Sequence, residues 1–210
     1  MSLLHRAHPW HGVDIGPEAP QVVAAYVEIV PTDAVKYEID KESGILKIDR
    51  PQQFSNVCPT LYGFIPRTLC AREVGRFCEE RTGRSGIVGD GDPMDVCVLT
   101  ERPITHGDVL VRARPIGGLR MIDGNEADDK IVAVLENDAV YGGLQEMAEC
   151  PAALVERLRH YFLTYKQAPD GGSRRVEITH VYGRGDAHEA IRRSQADYRA
   201  AFGEPTSTST

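Results

Sequence analysis

Asp90, Asp92 and Asp95 place three carboxylates within six residues of the stretch Gly89-Asp90-Gly91-Asp92-Pro93-Met94-Asp95-Val96. Gly91 lets the backbone turn freely and Pro93 fixes the next φ angle, so the segment aims several oxygens at one place. Oxygen ligands at short spacing suit a hard cation such as Mg²⁺ or Mn²⁺, and a buried cluster of unneutralised acids repels itself. A divalent cation is therefore the expected neutraliser. The run Val96-Cys97-Val98-Leu99 that follows reads as a short core strand, which seats the acids at its mouth. A solvated surface turn would use the same residue types. The arrangement recurs, however: Asp123-Gly124-Asn125-Glu126-Ala127-Asp128-Asp129-Lys130 passes directly into the apolar run Ile131–Leu135. Two acidic loops, each feeding an apolar strand, point to one shared site.

Other residues of suitable chemistry stand apart in the chain. Glu28 is the one charge in the apolar run 22–30, Lys36 and Arg50 lie on an alternating hairpin, and Tyr62 lies in a compact loop whose hydroxyl can reach a site edge. If Glu28, Asp90, Asp92, Asp95, Asp123 and Asp128 converge, they make a site for two or more divalent ions. If Lys36, Arg50, Lys130 and Lys166 ring it, the same cavity holds a polyanion. Metals on one side with cations and tyrosines on the other is the layout phosphoryl transfer requires, because charge develops on attacking and leaving oxygens alike. Such chemistry needs one unliganded carboxylate to take or orient the proton of the attacking water.

The elements that must position these groups are mostly strands. Residues 22–30 read as a strand, and 35–50 as a hairpin around Gly44, with Lys36 and Glu38 on a charged, solvated face opposite Val35, Tyr37 and Ile39. Residues 67–88, rich in Arg, Glu and Gly, read as an excursion from the core, a loop or short hairpin. Gly107–Arg114 and Gly118–Ile122 suggest two strands. Pro151 suits a first helical position, followed by an apolar stripe from Leu154 to Tyr165; residues 169–172 suggest a turn and Arg175–Tyr182 a strand. Asp186 with Glu189 resembles a capping box opening a helix to about Phe202. The expected class is mainly β (α+β), a small β-barrel with two or more outer helices. One domain spans 22–203 with an insertion at about 70–89, between an N-terminal extension at 1–21 and a disordered tail at 204–210.

The formal charge of −7 over 210 residues opposes general binding to nucleic acid or to an anionic membrane. There is no membrane-length apolar run and no signal-peptide core, which suggests a cytoplasmic protein. Five cysteines without a C-x-x-C pair fit reduced thiols. His5, His8 and His11 have a metal-binding spacing, but Pro9 and Gly12 break any helix that would align them.

The segment Asp90–Val96 resembles the three-aspartate signature of the soluble family I inorganic pyrophosphatases. Lys36–Gly44, Asp49-Arg50, Tyr62-Gly63, Asp123–Lys130 and Tyr165-Lys166 are similar to that family's other blocks, in the family's order, across about residues 22–166. The resemblance implies an OB-like five-stranded barrel, pyrophosphate as substrate, Mg²⁺ as cofactor with Mn²⁺ or Zn²⁺ as substitutes, and hydrolysis to two phosphates. It implies Asp90, Asp95 and Asp128 as ligands of the tightest metal, with Asp95 reaching a second. Asp123 and Asp128 would hold a metal that arrives with substrate, and Glu28 would act as an outer acid partly through water. Asp92 would accept or orient the nucleophile's proton, and Lys36, Arg50, Tyr62, Lys130, Tyr165 and Lys166 would grip phosphate. It also implies a homo-oligomer, a hexamer built from dimers or trimers. The chain departs from the compact bacterial form at about Cys70–Gly89, where the extra residues would act as a lid or alter subunit contacts, and in its extended N-terminus.

Two other functions use similar residues. A metal-dependent nucleotide-sugar transferase also employs Asp-x-Asp but needs an alternating strand–helix domain. A catalytically silent OB-like binding module would have to bring nucleic acid against six carboxylates.

Overall fold

The computed structural model describes residues 6–53, 56–166 and 176–203. Strand β1 (Val23–Ile29) pairs antiparallel with β4 (Leu61–Phe64), and β4 with β6 (Asp95–Leu99). Strand β6 runs parallel to β9 (Lys130–Leu135), which pairs antiparallel with the long β7 (Val109–Asp123), and β7 returns to β1. These pairings close a ring of five strands. A hairpin of β2 (Val35–Ile39) and β3 (Leu46–Pro51) stands beside the ring. Short β5 (Val88–Gly89) and β8 (Glu126–Ala127) extend one edge of β7, and β10 (Val176–Gly183) pairs with another part of it. The helices are α1 (Arg72–Thr82), α2 (Ala152–Thr164) and α3 (Arg184–Phe202). The expected mainly β class with outer helices is the observed one. No alternating strand–helix nucleotide domain is present among the described residues.

The two stretches of 107–122 expected as separate strands are one. A bulge between Pro115 and Gly117 bends β7, so it can pair with β1 before the bend and with β9 and β10 around and after it. The apolar runs of β6 and β9 lack alternation because both faces are covered. Val96, Val98, Ile131 and Ala133 belong to the core cluster that takes in Val23, Val27 and Ala113 of the ring with residues of α1 and α3, whereas Cys97, Leu99, Val132 and Val134 belong to the one that includes Leu158, Tyr161 and Phe162 of α2. The five cysteines are free thiols.

Residues 67–88 are not an excursion. Val74, Phe77 and Cys78, at helical spacing, bury one face of α1 in the main core. No local side chain caps this helix. Its cap comes from α3, where the Asp197 carboxylate accepts from the backbone N–H groups of Ala71, Glu73 and Val74 at 2.9–3.1 Å. The capping box expected at Asp186 does not form: α3 begins at Arg184, and Asp186 instead accepts two 3.0 Å bonds from Arg81.

The N-terminal segment is seated on the same body. Trp10 is buried against Tyr26, Phe64 and Tyr198, and its indole donates to the Thr68 carbonyl at 2.7 Å. His8 Nδ1 accepts from the Trp10 and His11 backbone, and His11 hydrogen-bonds Tyr198, so both rings have structural partners. His5, the 169–172 turn and the 204–210 tail lie outside the described residues. Among the described residues no helix is long and apolar enough to cross a membrane.

Candidate active site

Two parallel strand pairs bring the two acidic loops together. In the first, Val88 of β5 lies opposite Glu126 of β8, and Gly89 opposite Ala127. Asp90 and Asp128 are the next residues in each strand's direction, and both line one cavity of about 380 Å³. In the second, Asp95 of β6 lies opposite Lys130 of β9, at the start of a five-residue register. Four charged or ionisable side chains from distant parts of the chain thus meet through backbone pairing.

The signature loop is held by the segment before α1. Cys70 N–H donates to the Asp92 carbonyl at 2.7 Å, and Gly91 N–H donates to the Cys70 carbonyl at 2.9 Å. The Asp90 carboxylate accepts from Asp92 N–H at 2.9 Å, tightening the turn. Gly91 sits at φ 77°, a left-handed conformation that other residues adopt only at a cost. A Cβ on Gly89 would collide with the Cys70 carbonyl.

Inside the cavity, Lys130 donates to both Asp95 and Asp128, and Tyr62 donates to Asp95 at 2.7 Å. Lys166 donates to Asp123 at 2.8 Å and stands 3.7 Å from Asp128. Asp92 is paired with Lys41. Glu28 is buried and accepts from Ile39 N–H at 2.7 Å. Lys36 reaches Asp49 at 2.7 Å and Glu38 at 3.0 Å.

Burial dominates the electrostatics. It pushes Asp90 up to about 8, aided by the negative charges of Asp128 and Asp95, and it pushes Glu28 up to about 8 as well. Asp128 is also raised, burial outweighing Lys130. Burial opposes the charge on Lys130, but Asp128 and Asp95 override it and hold the ammonium well above its ordinary range. Burial and then Asp95 raise the Tyr62 phenol, which stays protonated and able to donate.

The carboxylates here exceed the cations that neutralise them, and the donors are all oxygen. Among the described residues no three acidic, cysteine or histidine side chains gather around a common point as they stand, because the ammonium groups of Lys130 and Lys166 lie between the acids. A hard divalent cation fits this set: its charge would favour the ionised Asp90 that burial and the neighbouring acids oppose, and it would release the lysines for an anion.

Of the residues expected at the site, Glu28, Lys36, Tyr62, Asp90, Asp92, Asp95, Asp123, Asp128, Lys130, Tyr165 and Lys166 line this cavity. Arg50 is not among its lining residues. It lies opposite Lys36 in the hairpin, and its guanidinium is within 3.5 Å of the Tyr165 carbonyl. Lys36 and Glu38 do not form a solvated strand face; both face the cavity. Lys41, Glu38 and Glu126 also line it and were not singled out. The alternation Lys36-x-Glu38 carried the signal for Glu38, whereas Lys41 sits in a turn where no period applies.

A family model described as inorganic pyrophosphatase matches residues 25–199. An inorganic pyrophosphatase of Chlamydia trachomatis is 49% identical over 200 residues, covering 93% of this chain and 96% of that one. Soluble inorganic pyrophosphatase 3 of Arabidopsis thaliana is 40% identical over 192 residues, covering 91% of this chain and 79% of its own. The crystal structure of the inorganic pyrophosphatase from Thermus thermophilus superposes with a TM-score of 0.76 at 29% identity, covering 91% of this chain and 99% of that one. The ring of strands, the acid-and-lysine cavity and these likenesses coincide over nearly the whole chain, which belongs to the inorganic pyrophosphatase family.

Proposed function

We propose that this chain hydrolyses inorganic pyrophosphate to two phosphates, with Mg²⁺ as the divalent cofactor and Mn²⁺ or Zn²⁺ as substitutes. The observation that carries the reading is one cavity in which buried carboxylates oppose lysines and tyrosines able to hold a polyanion. Asp90, Asp95, Asp123 and Asp128 would hold the cations, with Glu28 an outer acid acting partly through water. Bound divalent ions supply charge neutralisation and a water that ionises near neutral pH.

The chain's own side chains do the rest. Lys130 and Lys166 carry permanent charge toward the phosphoryl oxygens, and Tyr62 and Tyr165 donate as neutral phenols; Lys36 and Arg50 extend the grip along the hairpin. These donors stabilise charge on the leaving phosphate without a proton relay. Asp92 faces the cavity beside the buried acids, paired with the exposed Lys41. It is suited to orient the proton of the attacking water. A cytoplasmic homo-oligomer, a hexamer, completes the proposal on the family resemblance, and light scattering of purified protein measures that assembly.

The test is phosphate release from pyrophosphate as Mg²⁺ is titrated. Release should require Mg²⁺ and need no acceptor sugar, and Asp92→Asn should lower kcat by roughly 10²–10⁴-fold. Folded protein that releases no phosphate at any Mg²⁺ concentration overturns the reading.

A further inference from the structure

Asp128 and Asp129 are adjacent carboxylates, and only Asp128 lines the cavity. Along an extended chain successive side chains point to opposite sides, so a slip of one residue would exchange them. On the reverse side stands Arg120. Leu119 lies opposite Lys130, and the Met121 carbonyl accepts from Asp128 N–H at 2.9 Å, which leaves Arg120 facing Asp129. Its Nε and one terminal nitrogen donate to Asp129 Oδ2 at 3.2 and 3.1 Å, with both residues buried. The guanidinium is clamped between aromatic rings, 4.6 Å from the Phe77 centroid on α1 and 4.9 Å from that of Tyr182 on β10, and Asp186 of α3 stands 3.7 Å away.

We infer that Arg120 is a positioning residue for the cation site: paired with Asp129 and clamped by Phe77 and Tyr182, it selects which of two neighbouring aspartates faces the cavity. In the slipped register Asp128 would satisfy Arg120 equally well, but Lys130, which shares a side with Asp128, would turn with it away from Asp95 and toward a second buried cation. The guanidinium thus attracts one carboxylate and excludes the register that would bring Lys130 to it. Helix α1 enters the cavity's geometry through Phe77 without lining it. The inference rests on the proposed divalent site but not on turnover.

The experiment reads Mn²⁺ binding to metal-free protein by electron paramagnetic resonance, without pyrophosphate, alongside thermal unfolding. The variants are Arg120→Lys, which keeps the charge but loses the planar fork, and Arg120→Met with Asp129→Leu, which replaces the pair by apolar groups. The double variant should unfold near the wild-type temperature yet bind Mn²⁺ about 10–100-fold more weakly. Arg120→Lys should fold and weaken Mn²⁺ binding by roughly 3–10-fold, which decides the matter if the double variant does not fold. Wild-type Mn²⁺ affinity in a folded double variant, or in Arg120→Lys when the double variant is unfolded, overturns the inference. Wild-type protein that binds Mn²⁺ but releases no phosphate from pyrophosphate refutes the proposed reaction instead.

Discussion

The two parallel strand pairs do the same geometric task with opposite chemical content. The pair β6–β9 is long and buried, and it sets an anion, Asp95, beside a cation, Lys130. The pair β5–β8 is two residues long with Val88 exposed, and it sets one buried carboxyl group, Asp90, near another, Asp128. The first is complete within the chain and belongs to the core. The second gathers carboxyl groups whose ionisation burial and mutual repulsion oppose, and that is where an external cation has most to offer.

The comparison breaks first at its stronger member. Lys130→Ala leaves Asp95 and Asp128 without their shared counter-charge, and urea unfolding of metal-free protein should show a loss of about 3–5 kcal/mol. A loss no larger than that of an exposed lysine would mean β6–β9 does not depend on the ion pair. Gly89→Ala attacks the weaker member by forcing β5 off the Cys70 carbonyl. It should cost about 1–3 kcal/mol of stability, with a drop in divalent-cation affinity out of proportion to that cost. Unchanged affinity would show that β5 does not set the position of Asp90.

Much of this site is legible in the sequence because its chemistry is local. Asp90, Asp92 and Asp95 advertise themselves by spacing, and Asp123–Lys130 by leading into an apolar strand. The pairing that joins the two loops is not local. Helix α1 has its buried residues at helical spacing, yet its cap, Asp197, lies in α3, so nothing next to Arg72 announces a helix start. Pro115 and Gly117 divide the pattern of a strand that the structure keeps continuous through a bulge. Arg120 reads as one more strand cation until its partner Asp129, just before β9, is seen beside it.

A graded effect concerns pH. Asp90 and Glu28, both raised to about 8, hold protons in the folded protein that the unfolded chain releases near the ordinary carboxyl value. Between those limits the folded state binds more protons, so metal-free stability falls as pH rises, by at most about 1.4 kcal/mol per pH unit for each proton. Melting temperatures in chelator should decline from pH 5.5 to 7.5, and Mg²⁺ should remove most of the decline by binding the ionised carboxylates. A melting temperature that climbs over this range would contradict the assigned protonation.

The central claim is that β5–β8 makes one functional unit of two acids 38 residues apart in the chain. A double-mutant cycle measures it directly: pyrophosphate hydrolysis across a Mg²⁺ titration in Asp90→Asn, Asp128→Asn and the combined variant. If the two carboxylates serve one cation site, the combined variant loses little more kcat/KM than the worse single one. Losses that multiply would place Asp90 and Asp128 in independent sites and contradict the arrangement described here.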